Sequence, residues 1–518
     1  MYRSRVAEDA PSGAWTARSA RDGHPPAILV AMQSMYAECV RHIKPGAAPF
    51  AMDSFPQLAR LWPLPARLAS RRYGLLALLA AIALAGGLVG FRSMRHAAGP
   101  VAPYPHELTR VTFAVAGDVI PHEAVKAAAA AAGPGEQGWA DLLKPVADVF
   151  EGVDFGFVNM ETPVAPAHSH GTKPFLFDAP VALPEALKAS GIKIVSFANN
   201  HAMDQGWAGF AETREHLKQV GLEFAGTSDT AEIAFQPVFT ETNGIKVGWL
   251  GMTRWLNGNS NPDKADQPHV NFFPYPGEAG NPAAWPKAPQ APGADEAQVL
   301  AAVKAARTQC DLLVVSIHWG IEYAPAPRPE DVELAHKMLD AGATVVVGHH
   351  PHVLQPVETY RTADGRNTMI FYSLGNFLSN QSRTYIDGLM PDKDGDPRDS
   401  MIGLFSAVRN DYGPAGVHVE LGHVGILPLW GENNRNDLAS GKTKMPVIGK
   451  VLIDREIPRL QAELEEMGKL PQPLSADQQK RFIETTTQLK VLTDRREKIL
   501  ARTGDEFVTD PPKPPDKP

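Results

Sequence analysis

Two neighbouring stretches, LLVVSIHWGIEY (residues 312–323) and TVVVGHHPH (residues 344–352), indicate how this chain folds. Each begins with an apolar run rich in Val and Ile and ends abruptly in polar residues. Apolar runs of this length without alternation are typical of strands that are buried on both faces of a parallel sheet. The histidines therefore come where strands end and loops begin, and α/β proteins place reactive side chains there.

The same pattern recurs over residues 111–426, where apolar strands alternate with helical segments. This alternation predicts an α/β domain with central sheets. The predicted strands are 111–116, 155–159, 192–197, 245–251, 312–317, 344–347 and 369–372. The predicted helices are 207–220, 294–306 and 329–341, followed near the end of the chain by 458–467 and 476–500.

An uncharged apolar run, YGLLALLAAIALAGGLVGF, occupies residues 73–91. A helix of about 20 apolar residues spans the hydrocarbon core of a bilayer, so we expect a single transmembrane anchor. The alternatives are a buried helix of a soluble domain and a cleaved signal peptide, and both the anchor and the signal peptide would export the rest of the chain. Arginines before and after the run give a moderate bias towards an N-terminus in the cytoplasm. We therefore expect a single-pass protein of the cytoplasmic membrane with its main domain outside.

The chain divides into five predicted segments on this basis. The segment before the apolar run is expected to be disordered or to be an over-called start of the protein, and a short linker follows the run. The last segment is charged, helical and ends in a Pro-rich tail. The segments are 1–72, the anchor at 73–91, the linker at 92–110, the α/β domain at 111–430 and the helical extension at 431–518.

Charge and cysteine content exclude several classes of function. The formal net charge is −8 at pH 7, and no feature favours a nucleic-acid partner. The only two cysteines, Cys39 and Cys310, lie on opposite sides of the apolar run, so no disulfide framework is expected. A bound metal must therefore be held by His, Asp, Glu and Asn side chains.

Five polar clusters follow predicted strands, and their repetition predicts a metal site. Carboxylate, imidazole and amide groups projected from several strand ends suit divalent ions, and five clusters supply enough ligands for two. A lone residue such as Asp118 is more often a turn or cap residue than a ligand. Three histidines within residues 349–352 are harder to explain as packing. The clusters are Gly117-Asp118, NMET at 159–162, ANNH at 198–201, HWGIEY at 318–323 and GHHPH at 348–352.

These clusters, with VLQPVE after GHHPH and YSLGNF further on, resemble in order the signature blocks of the CapA family over residues 113–377. The resemblance implies a calcineurin-like metallophosphoesterase-type fold, a two-sheet sandwich flanked by helices. It also implies a role in the synthesis or export of poly-γ-glutamate capsules, which the apolar run would place at the bacterial inner membrane. The implied partners are an anionic envelope polymer or a phosphorylated small molecule, together with capsule ligase and export proteins.

The resemblance also implies roles for individual residues around two divalent ions of Mn, Fe, Zn or Mg. His201, which directly follows a ligand Asn, would be the proton donor, and Asp204 would orient its imidazole. His349 is also placed to hold its loop. The implied metal ligands are Asp118 and His352 on one ion, Asn200, His318 and His350 on the other, and Glu161 between them. The implied substrate-binding residues are Asn159, Lys173, Glu322 and His349.

Three departures from the metallophosphoesterase pattern leave more than one function open. The usual Asp-x-His is absent, because His122 stands four residues after Asp118. Glu161 takes the place of a bridging Asp by inference, and Ala202 stands where an acidic residue commonly follows the Asn-His pair. A metal-dependent phosphoesterase is the first hypothesis. The alternatives are a non-catalytic component that binds or exports the polymer and a hydrolase of γ-linked glutamyl peptides.

Overall fold

The computed structural model describes residues 105–275 and 293–513, and all structural statements refer to these ranges. The predicted segments 1–72 and 73–91 lie outside them, as does most of the predicted linker. No helix within the described ranges is long and apolar enough to cross a membrane.

Strands and helices alternate along most of the described ranges. The strands are β1 (His106–Val119), β2 (Phe155–Met160), β3 (Ile192–Ser196), β4 (Glu223–Ala225), β5 (Thr227–Ser228), β6 (Val238–Thr242), β7 (Ile245–Thr253), β8 (His269–Val270), β9 (Leu312–His318), β10 (Val345–His349), β11 (Val357–Arg361), β12 (Asn367–Phe371), β13 (Asn376–Leu378), β14 (Asp399–Asp411), β15 (Val417–Asn433) and β16 (Ile448–Leu452). The α-helices are α1 (Glu123–Ala132), α2 (Gly135–Glu151), α3 (Ala182–Ala189), α4 (Gly206–Val220), α5 (Glu296–Arg307), α6 (Pro329–Ala341), α7 (Arg435–Ala439), α8 (Ile453–Gly468) and α9 (Ala476–Thr503).

The larger sheet has the strand order β16-β15-β14-β1-β2-β3-β4, and β13 also pairs with β1. Strands β1 to β4 run parallel to one another, so their carboxyl ends meet at one edge of the sheet. Strands β14, β15 and β16 extend the sheet in antiparallel pairs on the other side of β1. The register places Asp118 at the end of β1 directly beside Asn159 of β2.

The smaller sheet has the order β11-β12-β10-β9-β7-β6. Its four inner strands are parallel, and the two edge strands are antiparallel to their neighbours. All residues of β9 and β10 are buried, as expected for apolar runs in the middle of a parallel sheet. The register sets His349 of β10 beside His318 of β9.

Aromatic residues fill the space between the two sheets. Phe157 of the larger sheet stacks on Trp249 of the smaller sheet, with ring centroids 5.6 Å apart and an interplanar angle of 8°. Phe113 approaches the same tryptophan and stacks on Phe405 of β14 with centroids 4.5 Å apart. The indole Nε1 of Trp249 donates a hydrogen bond to Thr240 Oγ1 at 2.9 Å, so burying this ring leaves no polar atom unpaired.

Helices cover the outer face of each sheet. Buried side chains of α1 to α4, such as Phe150 and Phe210, pack with Val158 and Val195 of the larger sheet. Buried side chains of α5 and α6 pack on the smaller sheet in the same way. The order of layers is therefore helices, sheet, sheet, helices, and the predicted mixed α/β class is confirmed.

The described residues beyond 430 extend the larger sheet and pack in the same hydrophobic core. Strand β15 runs on to Asn433, and β16 pairs with it as the last strand of the larger sheet. Ile453 and Leu460 of α8 and Leu492 of α9 are buried in the core cluster that also contains Trp430. The C-terminal helices are thus packed on the sheet that carries Asp118.

The seven predicted strands and five predicted helices are all found, with ends shifted by a few residues. The prediction left out the long antiparallel pair β14 and β15, which extends the larger sheet. Ser406 interrupts the apolar run of β14, at the point where the pairing register shifts between Phe405 and Ala407. The helices α1, α2 and α3, which lie between predicted strands, were also not predicted.

Candidate metal centre

The polar clusters of the sequence meet at the carboxyl ends of both sheets. Asp118 and Glu161 come from the ends of β1 and β2, and Asn200 and His201 from the turn after β3. His318 ends β9, and the histidines of residues 349–352 follow β10. These side chains are buried, and Asp118 and Glu161 have no solvent-exposed surface. Parallel strands in two facing sheets therefore bring five distant segments of the chain to one place.

Asp118 is held by groups from both sheets. Its Oδ1 accepts a hydrogen bond from Asn159 Nδ2 at 2.8 Å, and its Oδ2 lies 3.0 Å from His352 Nδ1. The backbone N–H of His350 donates to Oδ2 at 3.4 Å, and His349 Nδ1 lies 3.3 Å from Oδ1. With Nδ1 of His352 turned to Asp118, its Nε2 faces the centre of the site.

Glu161 lies at that centre. Its Oε1 is 3.7 Å from Nε2 of His318, 3.7 Å from Nε2 of His352 and 3.9 Å from Nε2 of His201. The same oxygen has no hydrogen-bond partner, whereas Oε2 accepts from Asn159 Nδ2 at 3.3 Å. Three imidazole nitrogens thus lie around one carboxylate oxygen.

Three groups of side chains could each hold a metal ion. In each group the ligand atoms lie within 4.8 Å of one another. The first two share Glu161, which places this carboxylate between them. The third uses Glu322 on the more exposed side, together with two histidines of the other groups. The groups are Asp118, Glu161 and His352; Glu161, His318 and His350; and Glu322, His350 and His352.

Unpaired buried atoms indicate that a cation fits these groups. Buried polar atoms normally have a hydrogen-bond partner, and leaving one unpaired costs about 1–3 kcal/mol. Several unpaired atoms converge here, and oxygen and imidazole nitrogen are ligands that Mg, Mn, Fe and Zn accept. The buried side-chain atoms without a partner include Glu161 Oε1, Asn200 Oδ1, His318 Nε2 and His350 Nδ1.

The electrostatics of the site favour binding of positive charge. Burial and the charge of Asp118 raise the pKa of Glu161 well above its ordinary value. Burial also acts to raise the pKa of Asp118, but close contacts with His349 and His352 outweigh it and hold this pKa well below its ordinary value. A divalent cation would relieve the repulsion between the two carboxylates, because it stabilises both in the ionised form.

Two of the buried histidines, His318 and His350, are in the form that binds metals. Burial and the charge of His352 lower the pKa of His350 to about 3. Burial, followed by the charge of His350, lowers the pKa of His318 well below its ordinary value. Both imidazoles are therefore neutral at physiological pH, and a neutral imidazole has a free lone pair for coordination.

His201 and Asp204 form a fixed pair beside the carboxylates. Asp204 Oδ2 lies 2.8 Å from His201 Nδ1 and also accepts a hydrogen bond from the backbone N–H of Phe177 at 2.7 Å. The Phe177 ring packs on the imidazole with ring centroids 4.5 Å apart. These contacts direct Nε2 of His201 towards Glu161. The geometry suits an imidazole that donates a proton from Nε2.

The histidine loop has an unusual backbone. His350 and His352 have φ values of 97° and 58°, in a region that residues other than Gly rarely occupy. Such conformations cost about 1–3 kcal/mol each and cluster at functional sites. The side-chain amide of Asn376 supports the loop by donating to the carbonyl oxygen of His352 at 3.1 Å.

The predicted substrate-binding residues have different environments. Asn159 and His349 are buried within the site, where Asn159 bonds to both carboxylates. Glu322 is half-buried and belongs to the third ligand group. Lys173 is exposed, and its backbone pairs with that of Leu176. Within the described part of the chain, the structure does not bring Lys173 into the buried cluster.

Asn257 is a site residue that the sequence analysis missed. Its Oδ1 accepts a hydrogen bond from Asn200 Nδ2 at 3.3 Å, and its Nδ2 lies 3.5 Å from His201 Nδ1. It has a left-handed backbone with φ of 49° and precedes Gly258 in an Asn-Gly pair. That pair indicates a turn, and the sequence carries no further signal that this turn reaches the site.

Fold and site together define a mixed α/β protein with a buried carboxylate–histidine centre at the carboxyl ends of two sheets. The family model of the bacterial capsule synthesis protein PGA_cap matches residues 112–381, and the chain belongs to this family. The matched range contains every side chain of the three ligand groups. The resemblance to the CapA family is thereby confirmed.

Two Bacillus proteins are similar to this chain. The capsule biosynthesis protein CapA of Bacillus anthracis is 29% identical over 289 residues, which cover 55% of this chain and 64% of the relative. The PGA biosynthesis protein CapA of Bacillus subtilis is 32% identical over 257 residues, which cover 48% of this chain and 60% of the relative. The chain thus spans somewhat under two thirds of the length of each relative.

Among solved structures, a Staphylococcus aureus chain described as a putative 5′-nucleotidase is similar at 11% sequence identity. The superposition covers 62% of this chain and 54% of the other, with a TM-score of 0.34. A similarity this loose supports no conclusion about fold or activity.

Proposed function

We propose that this protein acts in the synthesis or export of an anionic envelope polymer of the poly-γ-glutamate kind, through a two-metal hydrolytic site of the metallophosphoesterase type. The observation that carries the proposal is the pair of ligand groups that share Glu161. Membership in the capsule synthesis family and the names of the two Bacillus relatives support the polymer role.

In this proposal the site residues have separate roles. Asp118 and His352 would hold one ion, His318, His350 and Asn200 would hold the other, and Glu161 would contribute to both. When bound, two divalent ions stabilise negative charge on a phosphoryl group and make water a better nucleophile at neutral pH.

His201 supplies the proton in the same proposal. Its Nε2 faces the centre, and Asp204 keeps Nδ1 engaged at 2.8 Å. His201 would therefore donate its proton to the leaving oxygen, while Asp204 stabilises the imidazolium before the transfer and keeps the ring oriented after it. The exposed Lys173 and the half-buried Glu322 would contact the rest of the substrate.

A second candidate function is a non-catalytic component that holds the anionic polymer. Ala202 favours it, because this buried methyl group stands where an acidic residue commonly follows the Asn-His pair. A ligand set that has lost one acid can persist in a binding protein.

The test compares metal content and hydrolysis of a chromogenic aryl phosphate in the wild type and in Asn200→Ala. The proposal predicts about two divalent metal ions per chain and turnover that depends on metal, and it predicts that Asn200→Ala loses this turnover and binds less metal. Asn410→Ala, at a half-buried position on β14, is the matched control and should match the wild type. Bound metal and polymer without turnover would favour the second candidate, and cleavage of γ-linked glutamyl polymer alone would favour a peptidase.

We propose, finally, that the protein is held in the bacterial inner membrane through residues 73–91, with the described part outside. The support is the uncharged apolar run in the sequence. Protease added to intact spheroplasts should then degrade the part of the chain after residue 99. Full protection of that part, with a periplasmic marker digested in the same sample, would contradict this topology.

A further inference from the structure

Arg495 in the last helix, α9, is a buried arginine that forms hydrogen bonds to the short segment 396–400. Its side chain has no exposed surface, and its Nε donates to Asp399 Oδ1 at 2.9 Å while Nη2 also contacts Asp399 Oδ2. Nη2 donates in addition to Asp396 Oδ1 at 3.0 Å. Arg502, two turns further along the helix, donates to the other oxygen of Asp396 at 2.9 Å. Residues 396–400 are therefore fixed to α9 by charge-assisted hydrogen bonds.

The other side of residues 396–400 supports the metal centre. The carbonyl oxygen of Pro397 accepts a hydrogen bond from Asn376 Nδ2 at 2.9 Å, and the same amide group donates to the carbonyl oxygen of His352. Ser400 forms a β-bridge with Gly375. The carbonyl oxygen of Gly375 in turn accepts from the backbone N–H of Asp118 at 3.0 Å. One short segment thus supports two ligands of the group that contains Asp118 and His352.

These contacts leave little room for adjustment. A Cβ atom added to Gly375 would lie 2.7 Å from the carbonyl oxygen of Asp399, and one added to Gly117 would lie 1.8 Å from the carbonyl oxygen of Gly375. Backbone therefore packs directly on backbone from residue 399 to Asp118. A shift of the 396–400 segment must move Gly375, because backbone contacts backbone there, and it must also move the side-chain amide of Asn376, which is bonded to the carbonyl oxygen of Pro397.

We propose that Arg495 is a positioning residue of the metal centre, which sets the places of Asp118 and His352 through residues 396–400. The inference rests on the proposed metal site. It assigns part of that site to a helix beyond the matched range of the family model, which ends at residue 381. The 28-residue helix α9 is thus a component of the site and not only a cover for the sheet.

The same helix offers two matched controls. Arg496, the next residue, forms an ion pair with Asp454 of α8, and its hydrogen bonds go to that carboxylate and not to residues 396–400. Leu492, one turn earlier, is buried in the core, so Leu492→Ala destabilises the packing of α9 without removing a hydrogen bond to that segment. A general loss of stability should affect all three variants, whereas a positioning effect should be specific to Arg495→Met.

The experiment uses the full-length protein and measures three quantities for each variant. These are the Zn²⁺ dissociation constant by chelator competition, the visible spectrum of the Co²⁺-loaded protein, and backbone hydrogen exchange in peptides covering residues 117–119 and 350–353. Arg495→Met should weaken Zn²⁺ binding about 10-fold, as loss of a group that holds a ligand typically does. It should also change the Co²⁺ spectrum and speed exchange in both peptides.

Arg495→Lys should restore part of each effect, because lysine keeps the charge but lacks the planar fork that reaches both carboxylates. Arg496→Met and Leu492→Ala should stay within about twofold of the wild type in Zn²⁺ affinity. The inference would be overturned if Arg495→Met and the two controls had the same Zn²⁺ affinity, the same Co²⁺ spectrum and the same rates of backbone hydrogen exchange. If Arg495→Met does not fold, Arg502→Met, which loses only a bond to Asp396, carries the same comparison with a smaller expected effect.

Failure of the proposed function gives a different result. A wild type that binds neither Zn²⁺ nor Co²⁺ would contradict the metal centre. In that case faster exchange at residues 117–119 and 350–353 in Arg495→Met alone would still support its positioning role, and unchanged exchange would contradict it.

Discussion

The buried imidazole of His350 makes the stability of the metal-free protein depend on pH. Burial, followed by the charge of His352, lowers its pKa from 6.5 to about 3 in the folded chain. In the unfolded chain the imidazole returns to an ordinary pKa of about 6.5. Between these values the unfolded chain binds one more proton than the folded chain, so the free energy of unfolding decreases as the pH falls.

The expected loss in the free energy of unfolding follows from the folded and unfolded pKa values of His350. Each pH unit in this window corresponds to about 1.4 kcal/mol, so a change from about pH 6.5 to about pH 5 removes about 2 kcal/mol through His350. The contribution is fully present above about pH 6.5 and decreases until the pH reaches the folded pKa of about 3. Burial lowers the pKa of His122 to about 4, which adds a loss in the same direction.

Urea unfolding of the metal-free protein, followed by tryptophan fluorescence at about pH 7.5 and about pH 5, isolates this effect. Between the two pH values the wild type should lose about 2 kcal/mol more of its free energy of unfolding than His350→Gln, because an amide does not titrate. His418→Gln, at an exposed position of β15, controls for the effect of replacing any histidine by glutamine. Equal losses in the wild type and His350→Gln would refute the reasoning.

Two further substitutions test the site and its support. Asp204→Asn should lower phosphatase turnover about 10- to 100-fold while metal content stays unchanged, because the hydrogen bond to His201 loses its ionic partner; full turnover would contradict the assignment of His201. Gly117→Ala should lower the free energy of unfolding by about 3 kcal/mol in urea, because its Cβ would meet a backbone oxygen at 1.8 Å. Gly468→Ala, whose Cβ would meet no atom within 4 Å, is its control, and equal effects would show that the contact relaxes freely.

The sequence alone determined the elements that build the site. Continuous apolar runs such as 312–317 predict buried strands, because a strand covered on both faces has no polar side. Polar clusters at their ends then predict side chains at one edge of a sheet, since parallel strands all end there. The order of these clusters along the chain also indicated the family, which the family model confirmed.

Tertiary structure decided which of these residues meet and what supports them. The sequence does not show that Glu161 lies between two ligand groups, that Asn257 contacts Asn200, or that Arg495 reaches the loop beside Asp118. Local periodicity depends on residues a few positions apart, and it is therefore visible in the sequence. The pairing of distant segments depends instead on the register of two sheets and on close packing between them, which no short stretch of sequence encodes.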